Sequence, residues 1–206
     1  MPTILSYSKK FIFIHNYKVA GMSISKVLSQ YEPHFWIHTA LRMSGVKTYY
    51  PAFANFPAHA TAPQVRQMVG EEIFNSYYKF AFVRNPWDWQ VSLYFYMRKT
   101  KWHFQHNLVK RMSFEDYIDW RVNHDRQTQI AQLADEQGNL LVDFVGRFEN
   151  IAEDFEEICN RLSIPTQLYH RNRSRHAPYR EYYSDRTSQM VREAFADDIT
   201  RFNYEF

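Results

Sequence analysis

Two short apolar runs, each stopped by a polar turn that carries a cation, constrain this chain more than any other feature. Lys10 to His15 reads KFIFIH and Tyr77 to Val83 reads YYKFAFV. Both runs are continuous rather than alternating and are rich in β-formers, the pattern of a strand buried on both faces of a parallel sheet. A loop over Asn16 to Gly21 follows the first, and Met22 to Tyr31 then has helical spacing at Ile24, Val27 and Leu28. Arg84-Asn85-Pro86 follows the second, and proline suits the first turn of a helix. That helix carries Trp87, Val91, Tyr94 and Phe95 on one side.

A third unit repeats the order. Leu140 to Phe148, LLVDFVGRF, predicts a strand, and Asn150 to Leu162 a helix. Asn150 and Glu153 are spaced as a capping box, and Ile151, Phe155, Ile158 and Leu162 form an apolar stripe. Strand-then-helix units in series predict an α/β fold of three layers, a central parallel sheet flanked by helices. Ligands of such folds bind at the C-terminal ends of the strands, where both cation-bearing turns lie.

The remaining segments fit around this frame. Thr61 to Gly70 predicts a helix with Pro63 in its first turn and Gly70 as its stop, and Ser113 to Trp120 predicts another. Residues 166–186 are irregular and dense in Arg, Asn, Ser and Tyr. Asp185 is the expected cap of a last helix whose Val191, Ala194, Phe195, Ile199 and Phe202 line one face. With no repeat and no clear linker, the 206 residues are expected to form a single domain, 1–206.

Composition narrows the partners. Hydrophobic residues make up 45% and charged residues 23%, and a net charge of +3 is too mild for wholesale nucleic-acid binding. It suits a local site for a small anion. The lone Cys159 excludes internal disulfides and multi-cysteine metal sites, and its place in the stripe predicts a buried free thiol. MPTILSYSKKFIFIH lacks the pattern of a secretory leader, and no apolar run approaches the roughly 20 residues that span a bilayer. The expectation is a cytoplasmic protein with no membrane anchor.

The first turn reads His15-Asn16-Tyr17-Lys18-Val19-Ala20-Gly21-Met22-Ser23. It leaves a strand, supplies a cation, narrows to a glycine and opens a helix. Helix N-termini attract phosphate and sulfate through unpaired N–H groups and a partial positive charge. Gly21 allows close approach and Lys18 adds an ammonium. The motif is not GxxxxGK[ST], which argues against an ordinary ATPase or GTPase. A plain strand-to-helix turn with an exposed lysine reads the same way.

The second turn reads Arg84-Asn85-Pro86-Trp87-Asp88-Trp89-Gln90-Val91-Ser92. Arg84 ends a strand, and Ser92 lies two turns into the helix. An Arg fork and a hydroxyl suit a second phosphate monoester. Pairing of Arg84 with Asp88 across the turn is the alternative.

Together the two stretches resemble the nucleotide-binding signatures of the PAPS-dependent sulfotransferases (PAPS is 3′-phosphoadenosine 5′-phosphosulfate). The likeness is closest to the Golgi-type carbohydrate sulfotransferases and their soluble bacterial relatives. FIFIHNYKVAGMSI is similar to the family's 5′-phosphosulfate loop and FAFVRNPWDWQVSLY to its 3′-phosphate motif. VDFVGRFENIAEDFEEIC resembles the third strand and helix, and NRSRHAPYREYYSDRTSQMVREAFADDITRFNYEF the closing segment. The resemblance spans nearly the whole chain and implies a P-loop-like fold. It implies that Tyr17, Lys18, Val19, Ala20, Gly21, Met22 and Ser23 hold the 5′-phosphosulfate, and Arg84 and Ser92 the 3′-phosphate. Ser174 and Arg175, in a loop with Asn172, would close over the nucleotide. Many members of that family carry Arg where Trp89 stands in this chain.

The reaction implied is in-line transfer of a sulfuryl group to a hydroxyl acceptor, a carbohydrate or small alcohol, through a loose transition state. Lys18 would offset charge on the leaving phosphate, and a general base would take the acceptor's proton. His59, before the Thr61 helix, is the preferred base; His38, His103 and His106 compete, and His15 is read as support for the loop. No spacing suggests a metal. Residues 97–111, MRKTKWHFQHNLVKR, are basic and aromatic, and suit either an acidic or sugar acceptor or a solvated helix end. A small-molecule kinase with a P-loop-like site and a non-catalytic nucleotide-binding member of the fold are the rival readings.

Overall fold

A computed structural model describes residues 3–31, 56–166 and 177–206. Along the chain run β1 (Ile4–Ser6), β2 (Phe11–Ile14), α1 (Gly21–Leu28), α2 (Ala62–Val69), α3 (Glu71–Ser76) and β3 (Tyr78–Val83). Then come α4 (Pro86–Lys99), α5 (His106–Val109), α6 (Phe114–His124), α7 (Ile130–Leu133) and β4 (Phe144–Arg147). The chain finishes with α8 (Ile151–Leu162), α9 (Asp185–Ala194) and α10 (Ala196–Arg201). The chain divides into two compact units, Met1–Val83 with Ala131–Arg171, and Arg84–Ile130 with Asn172–Phe206.

The first unit is built on a four-stranded, mostly parallel sheet in the order β1-β2-β3-β4. β2 pairs parallel with β3 (Ile14 opposite Ala81) and β3 parallel with β4 (Val83 opposite Arg147). The strand β1, absent from the sequence reading, adds antiparallel to β2. Every residue of β2 and Phe80 to Val83 of β3 is fully buried, as expected of strands covered on both faces. Phe11, Phe13, Phe80 and Phe82 pack with Ile24 and Leu28 of α1 and Phe155, Ile158 and Leu162 of α8.

The third strand is shorter than its apolar run suggests. Asp143 fixes its start: the carboxylate accepts from Lys79 N at 2.7 Å and pairs with Lys79 Nζ at 2.9 Å. Leu140 forms only an isolated bridge with Ala134. The expected Asn150–Glu153 capping box is not formed, because a 3₁₀ turn at Phe148–Asn150 leads directly into α8 and leaves Asn150 without a side-chain cap bond. Asp154 instead accepts from Arg147 N, at the end of β4. Cys159 is a buried free thiol, as expected, and burial pushes its pKa up.

The second unit is helical. Its α4 is buried all round rather than on one side, Trp87, Trp89, Gln90, Val91, Ser92, Leu93 and Tyr94 included. Neighbours cover every face: Trp87 Nε1 donates to Ser188 O, and Tyr183 OH to Trp87 O. The last helix breaks at Phe195 into α9 and α10, and its cap is Ser184, not Asp185, with the Ser184 side chain accepting from Thr187 N. Asp185 occupies the first helical position.

Candidate functional site

The loop that leaves β2 has an unusual main chain. Lys18 and Ala20 both lie in the left-handed region, with φ of 62° and 60°, although neither is glycine. Such a residue costs about 1–2 kcal/mol. Ala20 is also the N-cap of α1 and offers no side-chain acceptor, so no side chain caps that helix. Thr61, Asn85, Ser113 and Ser184 each cap theirs. The start of such a helix carries a partial positive charge that attracts anions, and here Ser23 N donates to Ala20 O at 2.9 Å.

Gly21 is required by its neighbour. A Cβ built there would fall 1.7 Å from His15 Nε2, so the imidazole occupies the space that a side chain would take. The loop's root is tied to β3: buried Asn16 donates from Nδ2 to Phe82 O at 3.0 Å. These features fit an anionic group resting on the main chain of Val19 to Ser23.

His59 joins this loop. Its ring centroid lies 4.9 Å from that of His15 and 4.7 Å from that of Tyr17, edge-on to the latter. Its Nδ1 is 3.2 Å from His15 O. A carbonyl only accepts, so Nδ1 carries the proton and Nε2 is the basic nitrogen. Burial lowers the His59 pKa against the opposing pull of that hydrogen bond, which favours the neutral imidazole. His59 itself takes a left-handed backbone, φ 61°, and Gln132 Nε2 donates to the carbonyls of His59 and Ala60.

The second turn is held by side chains. Asn85 caps α4 through Oδ1, accepting from Trp87 N at 3.1 Å, and donates from Nδ2 to Glu205 O at 2.7 Å. Arg84 is buried and its Nε pairs with Asp88 Oδ2 at 2.7 Å, the alternative that the i, i+4 spacing left open. Gln129 clamps the Arg84 main chain, accepting from Arg84 N at 2.8 Å and donating to Arg84 O at 2.7 Å. Asp198, fully buried, holds Gln129 N and Ile130 N in turn at 2.8 and 2.7 Å. Desolvation raises its pKa to about 6. Ser92 is buried in the same helix as Asp88.

Other candidates stand elsewhere. His103 stacks on Phe104 and accepts from Gln105 N, and its pKa is lowered by burial. His106 Nδ1 lies 3.0 Å from Met97 O. Trp89 is buried with the Arg121 guanidinium 5.8 Å from its ring centroid. His38, Asn172, Ser174 and Arg175 lie outside the described residues. Sequence reasoning missed Asn16, Gln129, Gln132 and Asp198. Each acts by holding main chain, and no local spacing marks that role.

A family model described as the sulfotransferase family matches residues 3–205, across both units. The chain belongs to that family. An uncharacterized protein of Archaeoglobus fulgidus is 30% identical over 106 residues, which is 50% of this chain and 82% of the relative.

Proposed function

We propose that the chain transfers a sulfuryl group from PAPS to a hydroxyl of a carbohydrate or small alcohol, with both units forming one P-loop-like, three-layer sulfotransferase domain. The observation that carries this reading is the packing of His59, its Nδ1 held at the His15 carbonyl, against the Lys18 loop. A base beside an anion cradle is what transfer of an anionic group to a hydroxyl requires. Family membership supplies the reaction class.

The main-chain N–H groups of Val19 to Ser23 and the Lys18 ammonium hold the 5′-phosphosulfate, flanked by Tyr17. Arg84, its guanidinium aligned by Asp88, and Ser92 take the 3′-phosphate; Ser174 and Arg175 complete the nucleotide contacts. His59 Nε2 accepts the acceptor's proton as the new O–S bond forms. Lys18 stabilises the charge that grows on the bridging oxygen as the S–O bond to phosphate breaks. One buried, unpaired cysteine asks for no oxidising compartment, which supports a cytoplasmic setting.

The test is incubation with PAPS and an acceptor library, read by mass spectrometry. Gain of one sulfuryl group on a saccharide or alcohol is expected. Phosphate transfer from ATP with Mg²⁺, in its place, would overturn the reading.

A further inference from the structure

The segment from α4 to α5 carries a surface to which the proposed nucleotide site and base assign no residue. Trp102 is 80% exposed and Phe104 86%, with Leu108 exposed beside them in the sequence. Apolar side chains of this size are rarely left so far out in water, and grouped they mark an interaction site. The turns that present them are formed by main-chain bonds, Thr100 N to Tyr96 O, His103 N to Thr100 O and His106 N to His103 O, all at 2.9 Å. His103 stacks on Phe104 with centroids 4.7 Å apart. Trp102 meets Tyr96 edge-on.

Charge identifies the partner. Arg98, Lys99, Lys101, Lys110 and Arg111 are all exposed, and no Asp or Glu occurs between Met97 and Met112. Asp125, which reaches the segment through Gln105 Nε2, is already paired with Arg121. The surface is therefore cationic and aromatic together. A saccharide subsite holds its rings at the wall of a cleft and surrounds them with directional hydrogen-bond groups. Here the two rings stand almost wholly in solvent among flexible ammonium and guanidinium heads, the chemistry of an interfacial anchor.

We infer that Trp102 and Phe104, with the basic residues around them, dock this protein on an anionic phospholipid surface. The rings enter the headgroup region and the cations meet lipid phosphates. Ser92 and Lys99 lie on one helix, about 10 Å apart along its axis at 1.5 Å per residue. The docking surface thus begins one α4 half-length from Ser92. This inference does not depend on the identity of the donor nucleotide.

The experiment is flotation of the full chain with vesicles of phosphatidylcholine alone or mixed with phosphatidylglycerol, repeated on immobilised heparin. Binding to mixed vesicles only, weakened by salt, is expected. The Trp102→Ala/Phe104→Ala variant should lose most binding, and Lys99→Glu/Lys101→Glu should weaken it by more than about fivefold per residue changed. Both variants should keep the wild-type melting temperature, since the altered side chains are exposed. Binding to heparin without vesicle binding would overturn the inference and assign the surface to an anionic polysaccharide. Absence of binding to both, or vesicle binding unchanged in the variants, would overturn it as well.

Discussion

The turns after β2 and β3 are built on opposite plans. Each follows a buried parallel strand and opens a helix, yet the first leaves its helix without a side-chain cap and bends through two left-handed non-glycine residues. The second is capped by Asn85, its arginine is paired with Asp88, and its main chain is clamped by Gln129. A turn that keeps backbone strain and lacks a side-chain cap gains most from an anion at the helix start. A turn already satisfied by side chains offers a preset guanidinium instead. The first plan suits the reacting end of a donor, where charge changes during the reaction; the second suits a group that is only held.

The largest effect that can break this contrast is loss of Lys18. Lys18→Ala should lower kcat by about 10²–10³-fold, with a smaller change in KM for the donor. A rate equal to wild type would remove the first turn from the chemistry. His59→Gln comes next, with an expected loss of about 10²-fold in kcat. The pH profile carries the sign: burial lowers the His59 pKa, so the acidic limb of kcat/KM should fall only below 6.5, the ordinary histidine value. The same shift makes folding favour the neutral ring. That stability is fully present above 6.5 and is lost as pH falls through the lowered folded-state pKa. The limb should vanish in His59→Gln.

The smallest expected effect is on stability. Gly21→Ala places a methyl where the His15 ring lies and should cost about 1–3 kcal/mol in urea unfolding. A neutral result would mean that the His15 ring moves aside without penalty.

Much of the sheet was legible because β2 and β3 are continuous apolar runs with turn signals behind them. The strand β1 was not, since three residues beside a polar turn carry no periodicity. The Asn150 box failed because capping needs an extended backbone at the cap, and the 3₁₀ turn before α8 denies it. The loop's residues and His59 lie far apart in the sequence, and their packing together is seen only in the structure. What fixes them was not legible either: the His15 carbonyl that sets the His59 tautomer, and the Gln132 and Gln129 amides, come from 44, 73 and 45 residues away. Contacts at such separations leave no local spacing. Arg84 pairing with Asp88 was one of two readings open at i, i+4, and the 2.7 Å contact between Nε and Oδ2 shows that they pair.

The central claim of the proposed function is that the Arg84 turn recognises the 3′-phosphate of the donor nucleotide. Calorimetric titration with adenosine 3′,5′-bisphosphate and with adenosine 5′-monophosphate, on wild type and on Arg84→Ala, tests it most directly. Hydrogen bonds to a charged group are worth about 1.5–3 kcal/mol, roughly a 10- to 100-fold preference for the bisphosphate in wild type. That preference should collapse in Arg84→Ala. Equal affinity for the two nucleotides in wild type, or a preference that survives Arg84→Ala, would contradict the account.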